Sequence, residues 1–401
     1  MSSIRIRNIG PIKDTGNIFV SPILLLIGKQ GAGKSTVLQI LCQCQWIEKT
    51  CMLGSFEEMR ARYHNAEQLR KDLIEFHHIG PDFFYEGHSI IYDGDCIKLT
   101  LEGDKINLLH KRNDYKSNLY AEKIALLPAE RHLMHVIHNL NRTYTSTAND
   151  SLYNHISEWD EVQQSSVARK QRNLVVSPEV SYFFDATTGG DTLQLNGSAI
   201  TFSPQFAASG IQSALSIEVF ADFLQSVYGQ DVRMSYVARA NLKKELGLNT
   251  EQVKLPERLA KYQTTRMFIE EPEQNLFPES QWRLVMYLVH TLRAKSAYSA
   301  FLTMTTHSPY ILMALNILLS AAQAFKKNSA KTKPILEQYN IPLIQESDIS
   351  AYYVADGTLS SIVYKGKDFP TMIEGVKLDI PSQEFTKLTD LFDQIINQEL
   401  S

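Results

Sequence analysis

The chain has 401 residues, of which 44% are hydrophobic and 21% charged, with a formal net charge of -4 and a pI near 6.3. This is an ordinary globular composition with material for one large core or two smaller ones, and it excludes a low-complexity or fibrous chain. Because the net charge is negative, contact with nucleic acid would need a local basic patch, so composition does not indicate DNA binding.

The first 53 residues predict two strands and a helix. Residues 4–9 alternate apolar and basic side chains, as a half-buried or edge strand does, and turn residues follow them. Residues 22–27 form a short apolar run closed by Gly28, which is typical of a strand buried on both faces of a parallel sheet. A helical pattern then runs over about residues 34–46. The N-terminal residues lack the apolar core of a secretory signal, so we expect a cytoplasmic chain.

Residues 54–205 predict an insertion. Residues 54–88 are charged and helix-prone, whereas residues 89–109 predict short strands that turn at Asp93-Gly94 and at residues 102–104. Residues 141–173 are rich in Ser, Thr, Asn and Gln, and they predict a mobile loop or an arm with loose helical character. A hairpin over residues 191–202 turns at Asn196-Gly197.

The remaining residues predict a βαβ unit with helices around it. In chain order we expect a helix from Ser209 with one apolar face, a helical insertion at 230–262, a strand at 267–269, a helix at 278–293, a strand at 300–305, a buried helix at 311–325, a two-strand edge at 348–364 and an amphipathic helix at 382–400. The apolar run at 311–325 is interrupted by polar residues and is shorter than the ~20 residues of a membrane span, so we expect no membrane partner. Four cysteines without paired C-x-x-C spacing fit a reducing compartment.

The most specific motif is a glycine-rich loop between the buried strand and the first helix, in the pattern G-x-x-x-x-G-K-S. We expect it to bind nucleotide through Gly28, Lys29, Gln30, Gly31, Ala32, Gly33, Lys34, Ser35 and Thr36. Glycines let successive backbone N–H groups wrap a phosphate, and the helix start adds its positive end. Lys34 would reach the β- and γ-phosphates, and the Ser35 hydroxyl would bind Mg²⁺. The sequence therefore predicts a site for ATP and Mg²⁺. The alternative is a glycine-rich turn without a ligand.

Two carboxylates follow the strand at 267–269, at the end where ligands bind in open α/β sheets. We expect Glu270 to hold Mg²⁺, directly or through water, and Glu271 to polarise the attacking water. The alternative for this segment is a solvated acidic loop.

Ser209 and Gly210 open a predicted helix, with Ser209 as its N-cap. Such a helix start exposes backbone N–H donors and a hydroxyl at its positive end, and these can bind a γ-phosphate presented by another subunit. His307 follows the strand at 300–305, and for it we favour a role in sensing the γ-phosphate over a purely structural role.

Three histidines share part of one predicted helix face, namely His132, His135 and His138. Helical drift separates the outer pair and no fourth ligand is evident. We therefore favour solvated imidazoles over a zinc site.

The motif order GKQGAGKST, PAER, ASGIQS, FIEEPEQNLFP and TTHSP resembles the ABC-type ATPases of the OLD (overcoming lysogenization defect) and related RecF/SMC-like families, over nearly the whole chain. The resemblance implies an α/β, ABC-type P-loop NTPase head with a mixed central sheet, an N-terminal antiparallel β subdomain and helical insertions. It implies ATP sandwiched between the heads of a homodimer or higher oligomer. The implied elements are Walker A at 28–36, the signature at Ser209 and Gly210, Walker B at Glu270 and Glu271, the D-loop at 273–276 and the switch histidine at His307.

The chain departs from parts of the family pattern. Glu270 stands where ABC transporters have aspartate, and the signature is not Leu-Ser-Gly-Gly-Gln, which disfavours a transporter subunit. Residues 128–131 look like the family's lid element, in which Arg131 or Glu130 would report the nucleotide state; a plain helix start is the alternative. OLD nucleases add a Toprim unit with an Asp-x-Asp pair, but the Asp-x-Asp at residues 93–95 lies in a predicted turn. We therefore expect no nuclease activity in this chain.

These motifs divide the chain into five predicted parts: 1–53, the lobe with Walker A; 54–205, an insertion with a helical arm, hairpins and the lid element; 206–229, the signature helix; 230–262, a helical insertion; and 263–401, the lobe with Walker B, D-loop and switch histidine. The resemblance implies an ATP-dependent dimeric sensor or scaffold that controls a separate effector, a nuclease, as in bacterial antiphage systems of the Septu or PARIS type. One alternative is a RecF/SMC-like DNA-binding ATPase of repair or chromosome maintenance, although long heptad arms are absent. Another is a nucleotide-binding scaffold with little turnover.

Overall fold

The computed structural model describes residues 2–111, 119–137, 150–232, 256–293, 299–364 and 372–373. Its strands are β1 (Ser3–Ile9), β2 (Ile12–Asp14), β3 (Ile18–Phe19), β4 (Ile23–Ile27), β5 (Phe84–Asp93), β6 (Ile97–Glu102), β7 (Lys105–His110), β8 (Ala121–Leu127), β9 (Arg172–Asn173), β10 (Val180–Asp185), β11 (Gly190–Leu195), β12 (Thr201–Phe202), β13 (Tyr262–Glu270), β14 (Ser299–Thr306), β15 (Ile349–Ala355), β16 (Thr358–Ser361), β17 (Val363–Tyr364) and β18 (Met372–Ile373). Its α-helices are α1 (Lys34–Thr50), α2 (Phe56–Arg62), α3 (Ala66–His77), α4 (Leu133–Val136), α5 (Ser151–Gln164), α6 (Ser166–Arg169), α7 (Ser209–Ser226), α8 (Glu257–Ala260), α9 (Pro278–Arg293), α10 (Pro309–Lys327) and α11 (Ser329–Gln338).

The principal sheet has 12 strands among the described residues, in the order β7-β6-β5-β1-β2-β16-β15-β4-β14-β13-β8, with β3 paired to β1. Strands β15, β4, β14, β13 and β8 run parallel to one another. The N-terminal strands pair antiparallel, with β1 bonded to β2, β3 and β5, and β6 bonded to β5 and β7. This mixed sheet with an antiparallel N-terminal part confirms the predicted fold class.

Strand β4 shows why the sheet separates two cores. Its residues Ile23, Leu25 and Ile27 pack into a core with α7, α9 and α10, whereas Leu24 and Leu26 pack into a second core with α1 and the N-terminal strands. All five side chains are buried, as predicted for a strand covered on both faces. The carboxyl ends of β4, β13 and β14 therefore open on the same edge of the sheet.

A second sheet of four strands, in the order β12-β11-β10-β9, packs beside α7. The predicted hairpin is confirmed, because Leu193 pairs with Phe202 and Gly197 turns with a φ of 75°. Helix α7 differs from its expected one-sided pattern, since it is buried almost all round, with Phe220 packed against His155 and Trp159.

The two strands predicted at residues 348–364 are present as β15 and β16, joined by a turn at Asp356 and Gly357, but their predicted position at the edge of the sheet is wrong. Strand β15 lies inside the sheet, bonded to β4 on one side and β16 on the other, and the outermost strands are β7 and β8. Buried residues on both faces of β15, such as Ala351, Tyr352 and Val354, explain this interior position. The more polar β16 suggested an edge, but it pairs with β2 at Thr358 and Asp14.

Residues 54–205 contribute strands β5 to β8 to the principal sheet, so this sheet does not separate the expected insertion from the ATPase lobes. The predicted division into five parts stays a prediction. Within the segment at 141–173, expected as a mobile loop or an arm with loose helical character, residues 151–164 form the helix α5. The Asp150 side chain caps this helix, and its Ile156, Trp159 and Val162 are buried.

The predicted first helix is longer than expected, because α1 extends to Thr50 and continues as a π-helical turn over Cys51–Ser55. The predicted buried helix at 311–325 is confirmed within α10. No helix in the described parts of the chain is long and apolar enough to cross a membrane. Most of the predicted helical insertion at 230–262 and the whole helix at 382–400 lie outside the described residues.

Candidate nucleotide-binding site

The phosphate loop, residues 28–36, depends on glycine at three positions. A Cβ at Gly28 would lie 2.3 Å from the carbonyl oxygen of Val354, so only glycine fits there. Gly31 and Gly33 have φ values of 75° and 100°, in the left-handed region that other residues rarely adopt. The Gly28 N–H also donates to the carbonyl of Thr306 at 3.3 Å, which joins the loop to the end of β14.

Lys34 folds back over this loop. Its Nζ atom donates to the carbonyls of Gly28 at 2.9 Å and Lys29 at 2.8 Å, and its side chain is buried. Burial lowers the pKa of Lys34, and the nearby carboxylates of Glu271 and Glu273 oppose that shift. The ammonium group is therefore held inside the loop by groups that a phosphate oxygen can replace.

The other residues of the loop differ in how exposed they are to solvent. Lys29, Gln30 and Gly31 are exposed, Ala32 and Ser35 are half-buried, and Thr36 is buried. The outer backbone of the loop is therefore open to a ligand, while its last residues anchor it to α1.

Ser35 meets Glu270 across the gap between α1 and the end of β13. Glu270 is buried and is hydrogen-bonded by the Ser35 side chain and by Gln39 Nε2, the latter at 3.0 Å. Burial raises the pKa of Glu270, and the hydrogen bonds from Ser35 and Gln39 oppose this. Gln39 belongs to no motif and was not predicted as a site residue, although it lies four residues after Ser35 and so on the same helix face.

The Ser35 hydroxyl and the Glu270 carboxylate are hard oxygen ligands of the kind that Mg²⁺ prefers. Among the residues that the structure describes, no group of three or more His, Cys, Asp or Glu side chains could hold a metal ion by itself. A magnesium ion at this place would therefore complete its shell with water and phosphate oxygens, which is its usual arrangement in phosphoryl-transfer sites.

Glu271 has an unusual backbone conformation. Its φ of 46° lies in the left-handed region, although it carries a side chain. Its N–H donates to the carbonyl of Thr305 at 3.0 Å, which secures this conformation against β14. Strained residues of this kind cost about 1–3 kcal/mol and concentrate at functional sites. The conformation aims the Glu271 carboxylate towards His307, with 3.9 Å between Oε1 and Nδ1.

His307 lies between two carboxylates. Its Nδ1 atom is 3.1 Å from Oε1 of Glu273, closer than the 3.9 Å to Glu271. The imidazole is about half exposed, so its other edge is open. The structure thus brings Lys34, Ser35, Glu270, Glu271 and His307 to one edge of the sheet.

Arg131 is fully buried beneath this edge. Its guanidinium donates to the carbonyls of Glu270 at 2.6 Å and Glu271 at 2.9 Å, and also to those of Pro128 at 3.1 Å and Ser213 at 3.0 Å. Burial lowers its pKa to about 10, and the neighbouring carboxylates oppose that shift, so the group stays charged at neutral pH.

Arg131 therefore ties the acidic end of β13 to helix α7. The predicted role in reporting nucleotide state stays a prediction. The expected plain helix start is also present, as a 3₁₀ turn over Ala129–His132 in which Glu130 is exposed.

The signature segment, Ser209 and Gly210, differs from its prediction by one residue. Ala208 is the N-cap and makes no side-chain cap hydrogen bond, while Ser209 is the first helical residue and is exposed. A Cβ at Gly210 would lie 2.7 Å from the carbonyl oxygen of Asn275, so glycine permits close packing on the D-loop segment, residues 273–276. Asn275 has a φ of 59° and donates from Nδ2 to Ser213 Oγ at 3.0 Å.

The prediction that the clustered histidines are solvated is wrong for His135. Its side chain is buried, edge-on to Trp159 at 5.3 Å, and burial lowers its pKa to about 3. The chain forms a 3₁₀ turn and one short helix here rather than a continuous helix, which changes the faces that the histidines occupy. His132 is half-buried, and His138 lies outside the described residues.

A glycine-rich loop follows the buried parallel strand β4, carboxylates follow β13, and a histidine follows β14, the strand between them. This arrangement is typical of a P-loop nucleotide-binding fold. The chain is similar to the SMC head bound to the C-winged helix domain of ScpA, with 11% identity over 90% of this chain and 96% of that one and a TM-score of 0.38. It is similar to the SMC head domain from Thermotoga maritima, with 9% identity over 91% of this chain and 98% of that one and a TM-score of 0.36. It is also similar to a dimeric ATP-binding cassette in a post-hydrolysis state, bound to ADP and Pi, with 10% identity over 93% of this chain and 100% of that one and a TM-score of 0.30. No protein-family model and no curated protein matches the chain.

Proposed function

We propose that this chain binds Mg-ATP and hydrolyses it at a site completed by a second copy of itself. The observation that supports this most directly is the pairing of phosphate-loop and strand-end groups: Ser35 is hydrogen-bonded to Glu270, and Glu271 lies beside His307. Loop, metal-binding oxygens and a water-activating carboxylate are the parts that phosphoryl transfer to water needs.

Each side chain has a defined task in this proposal. Lys34 leaves the loop carbonyls and neutralises charge on the β- and γ-phosphates. Ser35 and Glu270 hold the magnesium ion, which when bound supplies charge neutralisation on phosphate oxygens. Glu271 accepts a proton from the attacking water, whose oxygen bonds to the γ-phosphorus while the bond to the bridging oxygen breaks. ADP and phosphate are the products. His307 contacts the γ-phosphate.

The second copy contributes its signature segment. Helix α7 begins without a side-chain cap at an exposed Ser209, so its first N–H groups are free for an anion. Within its own chain this helix start packs on Asn275 of the D-loop segment. We propose that it binds the γ-phosphate held by the other protomer.

The decisive experiment compares Glu271→Gln with Lys34→Ala. We expect Glu271→Gln to bind ATP and accumulate as an ATP-bound dimer in size-exclusion chromatography with light scattering, with turnover reduced about a hundredfold or more. Lys34→Ala should remain without nucleotide and without the ATP-dependent dimer. Turnover at the wild-type rate in Glu271→Gln would exclude Glu271 as the base, and no heat on titration of Mg-ATP into wild type would refute the site itself.

A mixing experiment tests the shared site. Lys34→Ala and Gly210→Asp should each be inactive alone, but a heterodimer keeps one intact pair of phosphate loop and signature segment. An equal mixture should recover ATP turnover that neither variant shows alone, since each mixed dimer has one good site. Absence of recovery in a mixture that still forms heterodimers would contradict a site shared between chains.

We further propose that the nucleotide state controls a separate effector protein, a nuclease, in antiphage defence. The support is the motif order described above, and the test is copurification from the native host in the presence of ATP and of ADP. The alternative of a DNA clamp gains no support from the net charge of -4. Binding to duplex DNA that weakens steeply with salt would favour that alternative.

A further inference from the structure

Glu273 is a third carboxylate beyond β13, and its hydrogen bonds are concentrated on one oxygen. Its side chain is buried, and Oε1 accepts from the Thr306 hydroxyl at 2.7 Å and from the His307 N–H at 2.8 Å. The same oxygen lies 3.1 Å from His307 Nδ1. Glu273 therefore holds both the backbone and the ring of one residue.

The second oxygen of Glu273 is unpaired. Oε2 is buried and has no hydrogen-bond partner among the described residues. Leaving a buried carboxylate oxygen unpaired is unfavourable, and native proteins keep few such groups. Two cations, Lys34 and Arg131, offset part of the cost, because Glu273 interacts electrostatically with both. Of the carboxylates around Arg131, Glu273 has the strongest interaction with it. This is a poor arrangement for stability alone.

The contact with Nδ1 decides the chemistry of the ring. A carboxylate offers only lone pairs, and an unprotonated Nδ1 at 3.1 Å would set its own lone pair against them, so this contact favours the form with the proton on Nδ1. The other nitrogen, Nε2, then lies on the opposite edge of a ring that is about half exposed. Fixing one ring nitrogen by a carboxylate is the usual way in which proteins set the tautomer and direction of a functional histidine.

We propose that Glu273 is a positioning residue for His307: by accepting the Nδ1 proton it fixes the tautomer and orients Nε2 towards the γ-phosphate. This inference rests on the proposed ATPase function for its catalytic consequence but not for the tautomer itself. With the proton on Nδ1, Nε2 carries a lone pair and can accept a hydrogen bond from a water molecule beside the γ-phosphate.

The test measures the tautomer of His307 independently of ATP turnover. Histidine-selective ¹⁵N labelling identifies which ring nitrogen carries the proton, with the His307→Gln spectrum assigning the signal. In nucleotide-free wild type at pH 8 we expect the proton on Nδ1. In Glu273→Met, which keeps the length of the side chain but has no acceptor oxygen, the signal should move to the Nε2-protonated tautomer that free imidazoles prefer. In Glu273→Gln, which keeps an acceptor oxygen, the Nδ1 proton should remain.

Thr306→Val is the matched control. It removes another donor to the same Oε1 atom but leaves the contact with Nδ1, and its shape is nearly unchanged. We expect it to keep the wild-type tautomer and turnover. Glu273→Met should instead lower kcat by about tenfold to a hundredfold, the range for loss of one preorganised phosphate contact, with KM changed less than about threefold. Glu273→Gln should recover most of that loss.

Two outcomes would overturn the proposal: an unprotonated Nδ1 of His307 in wild type, or an unchanged tautomer in folded Glu273→Met. If Glu273→Met fails to fold, the wild-type and Glu273→Gln spectra still decide the tautomer. If wild type binds no nucleotide, the proposed function fails, while the spectra continue to test the positioning role of Glu273.

Discussion

Replacing Arg131 tests how the acidic end of β13 is held in its unusual conformation. The guanidinium makes four hydrogen bonds to main-chain carbonyls and no solvent reaches it. In Arg131→Met the side chain keeps a similar length but loses all four donors. In Arg131→Lys the charge remains, but a single ammonium cannot reproduce the planar fork that reaches four carbonyls.

The expected magnitude follows from these contacts. Hydrogen bonds to a charged group contribute about 1.5–3 kcal/mol each, so four of them give a gross loss of about 6–12 kcal/mol. Relief from burying the guanidinium returns several kcal/mol of this. We therefore expect Arg131→Met to lower the free energy of unfolding by about 3–5 kcal/mol, in line with the loss of one partner from a buried charged contact.

For Arg131→Lys we expect the loss of ATP turnover to be larger than the loss of folding stability. Two of the lost bonds hold the carbonyls of Glu270 and Glu271, and Glu271 is held at a φ of 46°. Without them the left-handed conformation, which costs about 1–3 kcal/mol, has less support and the carboxylate loses its direction. We expect Arg131→Lys to remain folded and to bind ATP, but to hydrolyse it at least about tenfold more slowly.

Urea unfolding followed by far-UV circular dichroism measures the first effect, and steady-state ATP turnover at saturating nucleotide measures the second. The surface replacement Glu130→Gln, at the exposed neighbour of Arg131, is the matched control and should change neither quantity. The reasoning is refuted if Arg131→Met unfolds within about 1 kcal/mol of wild type, or if Arg131→Lys turns over ATP at the wild-type rate.

Two further predictions concern the phosphate loop and acid stability. Gly28→Ala should weaken ATP binding at least about tenfold in calorimetry, because its Cβ would collide with the Val354 carbonyl; wild-type affinity would contradict this contact. Burial lowers the pKa of His77, His135 and His155 to about 3, whereas unfolded histidines titrate near 6.5. The unfolded state therefore takes up protons first as pH falls, so stability is present above about pH 6.5 and is lost below it, by about 2 kcal/mol per histidine between pH 7 and pH 5. Equal urea midpoints at the two pH values would refute this, and His155→Phe, which keeps the ring stacking, should reduce the pH effect by about a third.

The elements predicted best are those whose pattern is local. The run at β4, the glycines after it and the start of α1 are specified by residues within about 25 positions of one another, and the structure reproduces them. Helix α9 matches its predicted bounds, since its amphipathic pattern is strong and Pro278 marks its start. The order of such elements predicted the βαβ unit, whereas the mixed central sheet was implied by the resemblance of the motifs to a known family.

Strand partners were harder to predict because they depend on distant residues. The position of β15 beside β4 joins residues more than 300 apart, and no local pattern distinguishes an edge strand from an interior one when both carry apolar residues. For the segment at 141–173, expected as a mobile loop or an arm with loose helical character, the sequence did not show that its helix would be packed into the core, for a related reason. Its buried face in α5 consists of only a few large side chains, and their partner Phe220 is far away in the sequence.

The candidate site likewise contains residues that a local pattern predicts and residues whose contacts join distant parts of the chain. Residues 28–36, Glu270, Glu271 and His307 were predicted as site residues from short motifs, whereas the contacts of Gln39 with Glu270 and of Glu273 with His307 are visible only in three dimensions. Glu273 was assigned only to the D-loop segment from the motif order, and its contact with His307 crosses 34 positions.

Arg131 has a consequence for how two sites in a dimer would communicate. It bonds the carbonyls of Glu270 and Glu271 and also that of Ser213 in α7, where Asn275 holds the Ser213 hydroxyl. In the proposed dimer the acidic end of β13 serves the nucleotide on its own chain, whereas the start of α7 serves the nucleotide on the other. A displacement of α7 by the partner's γ-phosphate must therefore be accommodated by the same guanidinium that holds Glu271. Because a fully buried fork cannot shift towards one carbonyl without lengthening its bond to another, occupancy of one site in the proposed dimer would alter the geometry of Glu271 in the other.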